Sequence, residues 1–315
     1  MTEHDTRRRF LTTSGGLVAL ALSGCLGGGG GDGEMDGGDG MDGEDGMDGE
    51  DGMDGEGGTN GDDGMNGSDE TDGDDETDGD DGMAESVAVR IRIENVAPPD
   101  FYPADTSTGG AVWITPGAYA VHDGENPIFD LGESASIGLE ALAEAGPPTG
   151  FEGEDGLVDE LDGAMEVHRS GAYTPDSTVA DPNDPMGSVP GAPPIAPGGA
   201  FEFAVDVSPG HRLSFASMFV PSNDVFVSTE EGGIGLWPED GDPVDGDVTD
   251  AVALFDAGTE PNAEPPGTGP DQAPAQDAPD QGADEDGVVR RLSDVDDGHE
   301  YPAVEDVVQV TVTPT

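Results

Sequence analysis

RLSFASMFVPSNDVFVS, residues Arg212 to Ser228, is the stretch that decides the fold. It reads as an apolar strand, a tight polar turn at Pro221-Ser222-Asn223-Asp224, and a second apolar strand. Leu213, Phe215 and Phe219 fall on one face at period two, which is the spacing of a strand buried on that side. Just upstream, Phe201, Phe203, Val205 and Val207 alternate in the same way, and Pro209-Gly210 separates the two runs. Two alternating runs joined by so short a turn predict a hairpin.

Working outward, Val87 to Val96 alternates apolar and polar residues and predicts another strand, ended by Pro98-Pro99. Ala111 to Val121 predicts a strand region interrupted at Pro116-Gly117, with Trp113 and Tyr119 as core anchors. Ser134 to Ala145 carries a helical spacing closed by Gly146-Pro147, and Leu157, Val158 and Leu161 suggest a short second helix. Residues 170–200 are rich in proline without an apolar period and read as a long loop. Val225–Val227 is a short strand, Val252 to Phe255 leads into an acidic loop, and Val307 to Thr313 closes the chain as a terminal strand. Residues 261–287 read as irregular. The fold class expected for residues 84–315 is therefore mainly β, an antiparallel sandwich with one or two short helices and long loops.

What precedes that domain is of a different kind. The 315-residue chain carries 71 acidic against nine basic residues, a formal net charge of −62. Every basic residue is arginine. Such a balance excludes nucleic acid as a partner, because phosphate binding needs clustered cations. It suits a surface adapted to concentrated salt, where the Debye length is short. Residues 26–83 are a Gly/Asp/Glu tract with Met35, Met41, Met47 and Met53 six residues apart. Aromatic and β-branched residues are nearly absent there, so no core can form, and the tract reads as a disordered tether. Asn66-Gly67-Ser68 is a glycosylation sequon within it.

Residues 1–25 read as an export signal. Arg7 and Arg8 stand in Thr6-Arg7-Arg8-Arg9-Phe10-Leu11, a twin-arginine pattern ahead of the short apolar run Leu17–Leu22. That run is too short to span a bilayer. It ends in Leu22-Ser23-Gly24-Cys25, which resembles a lipobox. Cys25 is then the lipidated mature N-terminus, and the membrane is a partner through that lipid. The expected location is the outer face of the cell membrane. Cys25 is also the only cysteine, so no disulfide can form within the chain.

Catalytic patterns do not stand out. His4, His122, His168, His211 and His299 are isolated in sequence, without the spacing of a zinc helix. There is no Gly-x-Ser-x-Gly elbow, and the lack of lysine excludes a lysine-bearing phosphate loop. Each single histidine reads as a surface or turn residue, and the chain as a non-enzymatic one.

Two sequence words are more specific. Leu213-Ser214-Phe215-Ala216-Ser217-Met218-Phe219-Val220-Pro221-Ser222-Asn223-Asp224-Val225-Phe226 and Leu254-Phe255-Asp256-Ala257-Gly258-Thr259-Glu260 together resemble the spondin N-terminal domain. The resemblance covers about residues 86–313 and implies a sandwich similar to a C2 domain. It also implies Ca2+ as the cofactor, held by acidic residues of these two loops. Carried over, the ligands are Asp224, Asp256 and Glu260. Asn223 stands where the animal pattern has Pro, Val225 where it has Trp, and Glu260 where it has a second Asp. The chemistry agrees: Ca2+ takes six to eight oxygen ligands, which two turns at one end of a sandwich can supply. The reading without the family is that Asp224 caps its own turn. The function implied is a cell-surface binding or adhesion module with an unidentified extracellular ligand. The alternatives are a solute-binding lipoprotein of a transporter, which needs a two-lobed chain, and an extracellular hydrolase using a metal or carboxylates.

Overall fold

A computed structural model describes residues 86–106, 108–150, 153–174, 178–180, 194–238, 241–263 and 282–315. Arg7, Arg8, Cys25, the tether and the Asn66 sequon lie outside the described residues, as do most of residues 261–287. The described part is mainly β, built from two antiparallel sheets and two short helices.

The first sheet has five strands. Its centre is β1 (Val87–Asn95), flanked by β5 (Ala200–Val207) and β12 (Val308–Pro314), with β4 (Thr178–Ala180) and β9 (Gly246–Asp247) at the edges. Val89, Ile91 and Ile93 point inward and are fully buried. Arg90 and Arg92 alternate with them on the outer face and pair with Glu202 and Glu94. The alternation in the sequence is thus the two faces of a sheet that is wet on one side.

The second sheet has seven strands. β6 (Arg212–Val220) lies at its middle, between β2 (Trp113–His122) and β7 (Val225–Thr229). β3 (Val167–Tyr173) is one edge, β10 (Val252–Asp256) and β11 (Arg290–Arg291) form the other, and β8 (Ile234–Gly235) pairs with β6. Every residue of β6 after Arg212 is buried, because this sheet is covered on both faces. Leu213, Phe215 and Phe219 face the first sheet within one apolar core. Ala216 faces the other way, toward α1 (Ile137–Ala145) and α2 (Leu157–Asp162), with Phe226 and Phe255. The architecture is a β-sandwich with a third, helical layer. Ser136 caps α1 by accepting from Leu139 N–H, and Gly146, in the left-handed region at φ 91°, ends it.

Three expectations are corrected. β5 and β6 do not form a hairpin: β5 belongs to the first sheet and β6 to the second. A hairpin partner shares both faces, and β5 carries Glu202 and Asp206 on the face that would lie under the helices. The Pro209-Gly210 turn therefore carries the chain from one sheet to the other.

Pro116-Gly117 does not interrupt β2. The strand passes through with a register shift between Ile114 and Gly117. Tyr119, partly buried, packs against the core, stacked on Phe203, while Trp113 is only partly buried and Val112, Ile114 and Val121 are fully buried within the core. Gly117 has no alternative residue, since a Cβ there would sit 2.0 Å from Ala216 O and 2.3 Å from the Tyr173 hydroxyl.

Residues 170–200 are not wholly loop. They contain the end of β3, the whole of β4 and, at residue 200, the start of β5. β3 holds His168, Arg169 and Ser170 on an exposed edge, so it shows no apolar alternation to read.

Candidate functional site

The turn after β6 and the loop after β10 lie side by side because β7 pairs with β10, which places Val225 opposite Asp256. Asp224, Asp256 and Glu260 are all buried, at 0, 0 and 2 % exposure. In a chain with so many acids, three carboxyl groups removed from water at one end of a sandwich need a specific account.

The turn is capped by Ser222, not by Asp224. Ser222 Oγ accepts from Val225 N–H at 3.1 Å and donates to Phe219 O. The Val220–Pro221 peptide is cis. Asp224 instead reaches across to the other loop, where its Oδ2 accepts the backbone N–H groups of Thr259 at 2.8 Å and Glu260 at 3.1 Å. In return Ala257 N–H donates to Asp224 O at 3.2 Å. The two sequence words are therefore in direct contact, and Asp224 is the side chain that joins them.

Asp256 is held differently. Its Oδ1 accepts from Gly258 N–H at 2.9 Å, closing a local turn. Its Oδ2 accepts from Asn262 Nδ2 at 2.7 Å and from an Arg290 guanidinium nitrogen at 3.2 Å. Arg290 also contacts Glu285 at 3.5 Å. Gly258 is left-handed at φ 71°, and a Cβ there would meet the backbone of Val288 at 2.5 Å. The glycine lets the segment at residues 285–288 lie against the loop, where Glu285 N–H donates to Thr259 O and Gly287 N–H to Gly258 O. Glu260 lies against Gly282, where a Cβ would come within 2.3 Å of its Oε1.

The charges do not balance. Among the described residues, the three carboxyl groups of Asp224, Asp256 and Glu285 gather around the one guanidinium of Arg290, a formal surplus of two negative charges. Burial, and next the neighbouring Asp256, push the Asp224 carboxyl up to about 7, against the two N–H bonds that pull it down. Two buried acceptors, Asn223 Oδ1 and Asp224 Oδ1, have no hydrogen-bond partner among the described residues. Asp224, Asp256 and Glu260 thus share one end of the sandwich, but the structure does not bring one carboxylate oxygen from each of the three within 4.8 Å of the others.

A second cluster lies elsewhere. Asp123 follows β2, His168 is on β3, and His211 lies in the link between β5 and β6. One donor atom from each comes within 4.8 Å of the others, and no other such group of three occurs among the described residues. The three can hold a metal ion, and their geometry does not say which. His168 Nε2 lies 2.8 Å from Asp123 Oδ2. The two imidazoles stack at 4.5 Å with 13° between their planes. His211 Nδ1 accepts from Ser208 N–H at 3.2 Å. Burial, then the neighbouring His168, lower the His211 pKa. His211 also lines an open groove of about 360 Å³ with Arg212, Gly235, Trp237 and Pro238.

The sequence motifs single out none of Arg290, Asn262, Glu285 and Asp123, and His168 and His211 read as surface or turn residues. Arg290 carries a legible signal, since Arg290-Arg291 is an adjacent basic pair in a chain with nine basic residues. The histidines carry none, being separated by 43 residues along the chain and joined only by the sheet-to-sheet turn.

No known family model matches the chain, and a search of curated proteins finds no match.

Proposed function

We propose that this chain is a membrane-anchored, cell-surface lipoprotein whose spondin-like sandwich is a non-enzymatic binding or adhesion module stabilised by Ca2+. The observation that carries the metal reading is the buried, unpartnered Asp224 Oδ1 beside Asp256, in a pocket with surplus negative charge. Asp224, Asp256 and Glu260 would hold the ion once the two loops close on it, since their carboxylate oxygens do not all lie within 4.8 Å of one another without it. Bound Ca2+ supplies positive charge and fixes the two loops; the neighbouring surface contacts the partner. The described residues make one sandwich unit, which favours a binding module over a two-lobed solute receptor.

Thermal unfolding in molar KCl tests the metal. A ligand that binds only the folded state at a hundred times its Kd adds about 2.7 kcal/mol. For a domain of this size that is a rise of about 5–10 °C in Tm. Ion binding by the acidic tether that is equal before and after melting would not move Tm. A Tm unchanged by millimolar Ca2+ rejects the calcium reading.

Arg290 favours a second reading, in which the guanidinium already serves as the cation and the loops are an ion-pair clasp. That reading predicts no response to Ca2+ and the same cost on breaking the pair.

The anchor has its own test. Cys25→Ser removes the thiol that carries lipid, so the protein should move from the membrane fraction to the soluble one. Retention in the membrane fraction would show that something other than lipid on Cys25 holds it there.

A further inference from the structure

We propose that Asp123, His168 and His211 form a second metal site, for a first-row divalent transition ion such as Zn2+ or Cu2+, that ties the edge of one sheet to the crossover between the sheets. The proposal stands apart from the calcium reading, since it concerns other residues and a softer class of ion.

The donor set selects the metal. Two imidazole nitrogens and one carboxylate suit zinc, copper and nickel, whereas Ca2+ takes oxygen. Bonds of about 2.0–2.2 Å to such ions place neighbouring donors about 3.0–3.5 Å apart. The three donor atoms already lie within 4.8 Å of one another, with one pair at 2.8 Å. Small side-chain adjustments therefore seat an ion. In the free protein the His168–Asp123 contact is a hydrogen bond, and an ion would replace its proton between the two atoms. Ser208 N–H points at His211 Nδ1, so Nε2 carries the proton of the neutral ring. Ligation through Nε2 moves that proton to Nδ1; ligation through Nδ1 displaces the Ser208 N–H. Either way the cost is one long hydrogen bond on an accessible surface.

Position gives the site a purpose. β3 is an edge of the second sheet, and the segment carrying His211 is where the chain leaves the first sheet for the second. The chain has no disulfide to fasten that corner. The side chains of His168 and Asp123 are 44 and 61 % exposed, so an ion can enter from solvent and keep open coordination positions toward it.

Electron paramagnetic resonance of the full chain with one equivalent of Cu2+ in molar KCl tests the proposal. Nitrogen hyperfine structure from two imidazoles is expected. His168→Ala or His211→Ala should leave one nitrogen and weaken Cu2+ binding at least tenfold, and the double variant should leave none. The acidic tether has no histidine, only carboxylates and methionine sulfurs, so it cannot imitate an imidazole signal, and the titration is run with His4→Ala to remove the imidazole near the N-terminus. Proton resonances of the unaltered protein give a readout that needs no variant: substoichiometric Cu2+ should broaden two imidazole signals first, and Zn2+ should protect them. Oxygen-only ligation, or a nitrogen count that either histidine variant leaves unchanged, overturns the proposal, as does first broadening of histidines outside the pair.

Discussion

Asp256→Ala is expected to lower the stability of the folded chain by about 3 kcal/mol in buffer free of divalent cations, the low end of the range for breaking a buried ion pair. The carboxylate is wholly buried and accepts three hydrogen bonds, from Gly258 N–H, Asn262 and Arg290. Alanine leaves all three donors without that acceptor. The cost is held to the low end because Arg290 is 35 % exposed and keeps Glu285. Asp256→Asn should not rescue it. Its carbonyl can still serve Gly258, but its amide would then point N–H groups at the Arg290 and Asn262 donors. A urea titration in molar KCl measures the loss, and the double variant with Arg290→Ala isolates the pair, with an expected coupling of about 2 kcal/mol. Screening by salt acts on exposed charges, so the loss should persist as KCl is raised. A loss under about 1 kcal/mol would put Asp256 in the class of solvent-screened surface pairs and remove it from the cation site.

The legible part of this molecule is the part set by local periodicity. β1 and β12 are readable because inward and outward residues alternate, as in Val89, Ile91 and Ile93 against Arg90 and Arg92, whereas β6, β7 and β10 are buried on both faces and show instead as short apolar runs next to turn residues. Both helices are readable from their apolar spacing, and α1 also from its closing Gly146. Whether neighbouring strands share a sheet was not readable. The run from Phe201 to Val220 has the pattern of a hairpin, and only the pairing of β5 with β1 and of β6 with β2 shows the crossover. That one error hid the second cluster, because a hairpin would leave His211 at a free tip. The acidic loops were legible as two words, but not the chemistry between them. Asp224 looked like the cap of its own turn, a job that Ser222 does. With the turn already capped, the Asp224 carboxylate is free to cross to Thr259 and Glu260.

That crossing sets the pH dependence expected of the protein without Ca2+. Burial and Asp256 raise the folded-state pKa of Asp224 from its ordinary value of 3.8 to about 7. Between those values the folded chain holds a proton that the unfolded chain has released, so stability falls as pH rises. The contribution is complete below about pH 4, erodes from there upward, and is gone once pH has passed through about 7. A rise of about three units corresponds to at most about 4 kcal/mol. Ca2+ reverses the trend, because the ion and the proton compete for one carboxylate and the ion wins as pH rises. Its stabilisation should be small at pH 5 and large at pH 8. Asp224→Asn separates the two effects. Its carbonyl can still accept from Thr259 and Glu260, while its amide never titrates. In buffer free of divalent cations the variant should be more stable than the unaltered protein at pH 8 and lack its decline between pH 4 and 7. In millimolar Ca2+ the order should invert, since the variant gains nothing from the ion. A variant that is the less stable of the two at pH 8 without Ca2+ would show that the ionised carboxylate is satisfied as it stands. The reason for placing a cation beside it would then be lost.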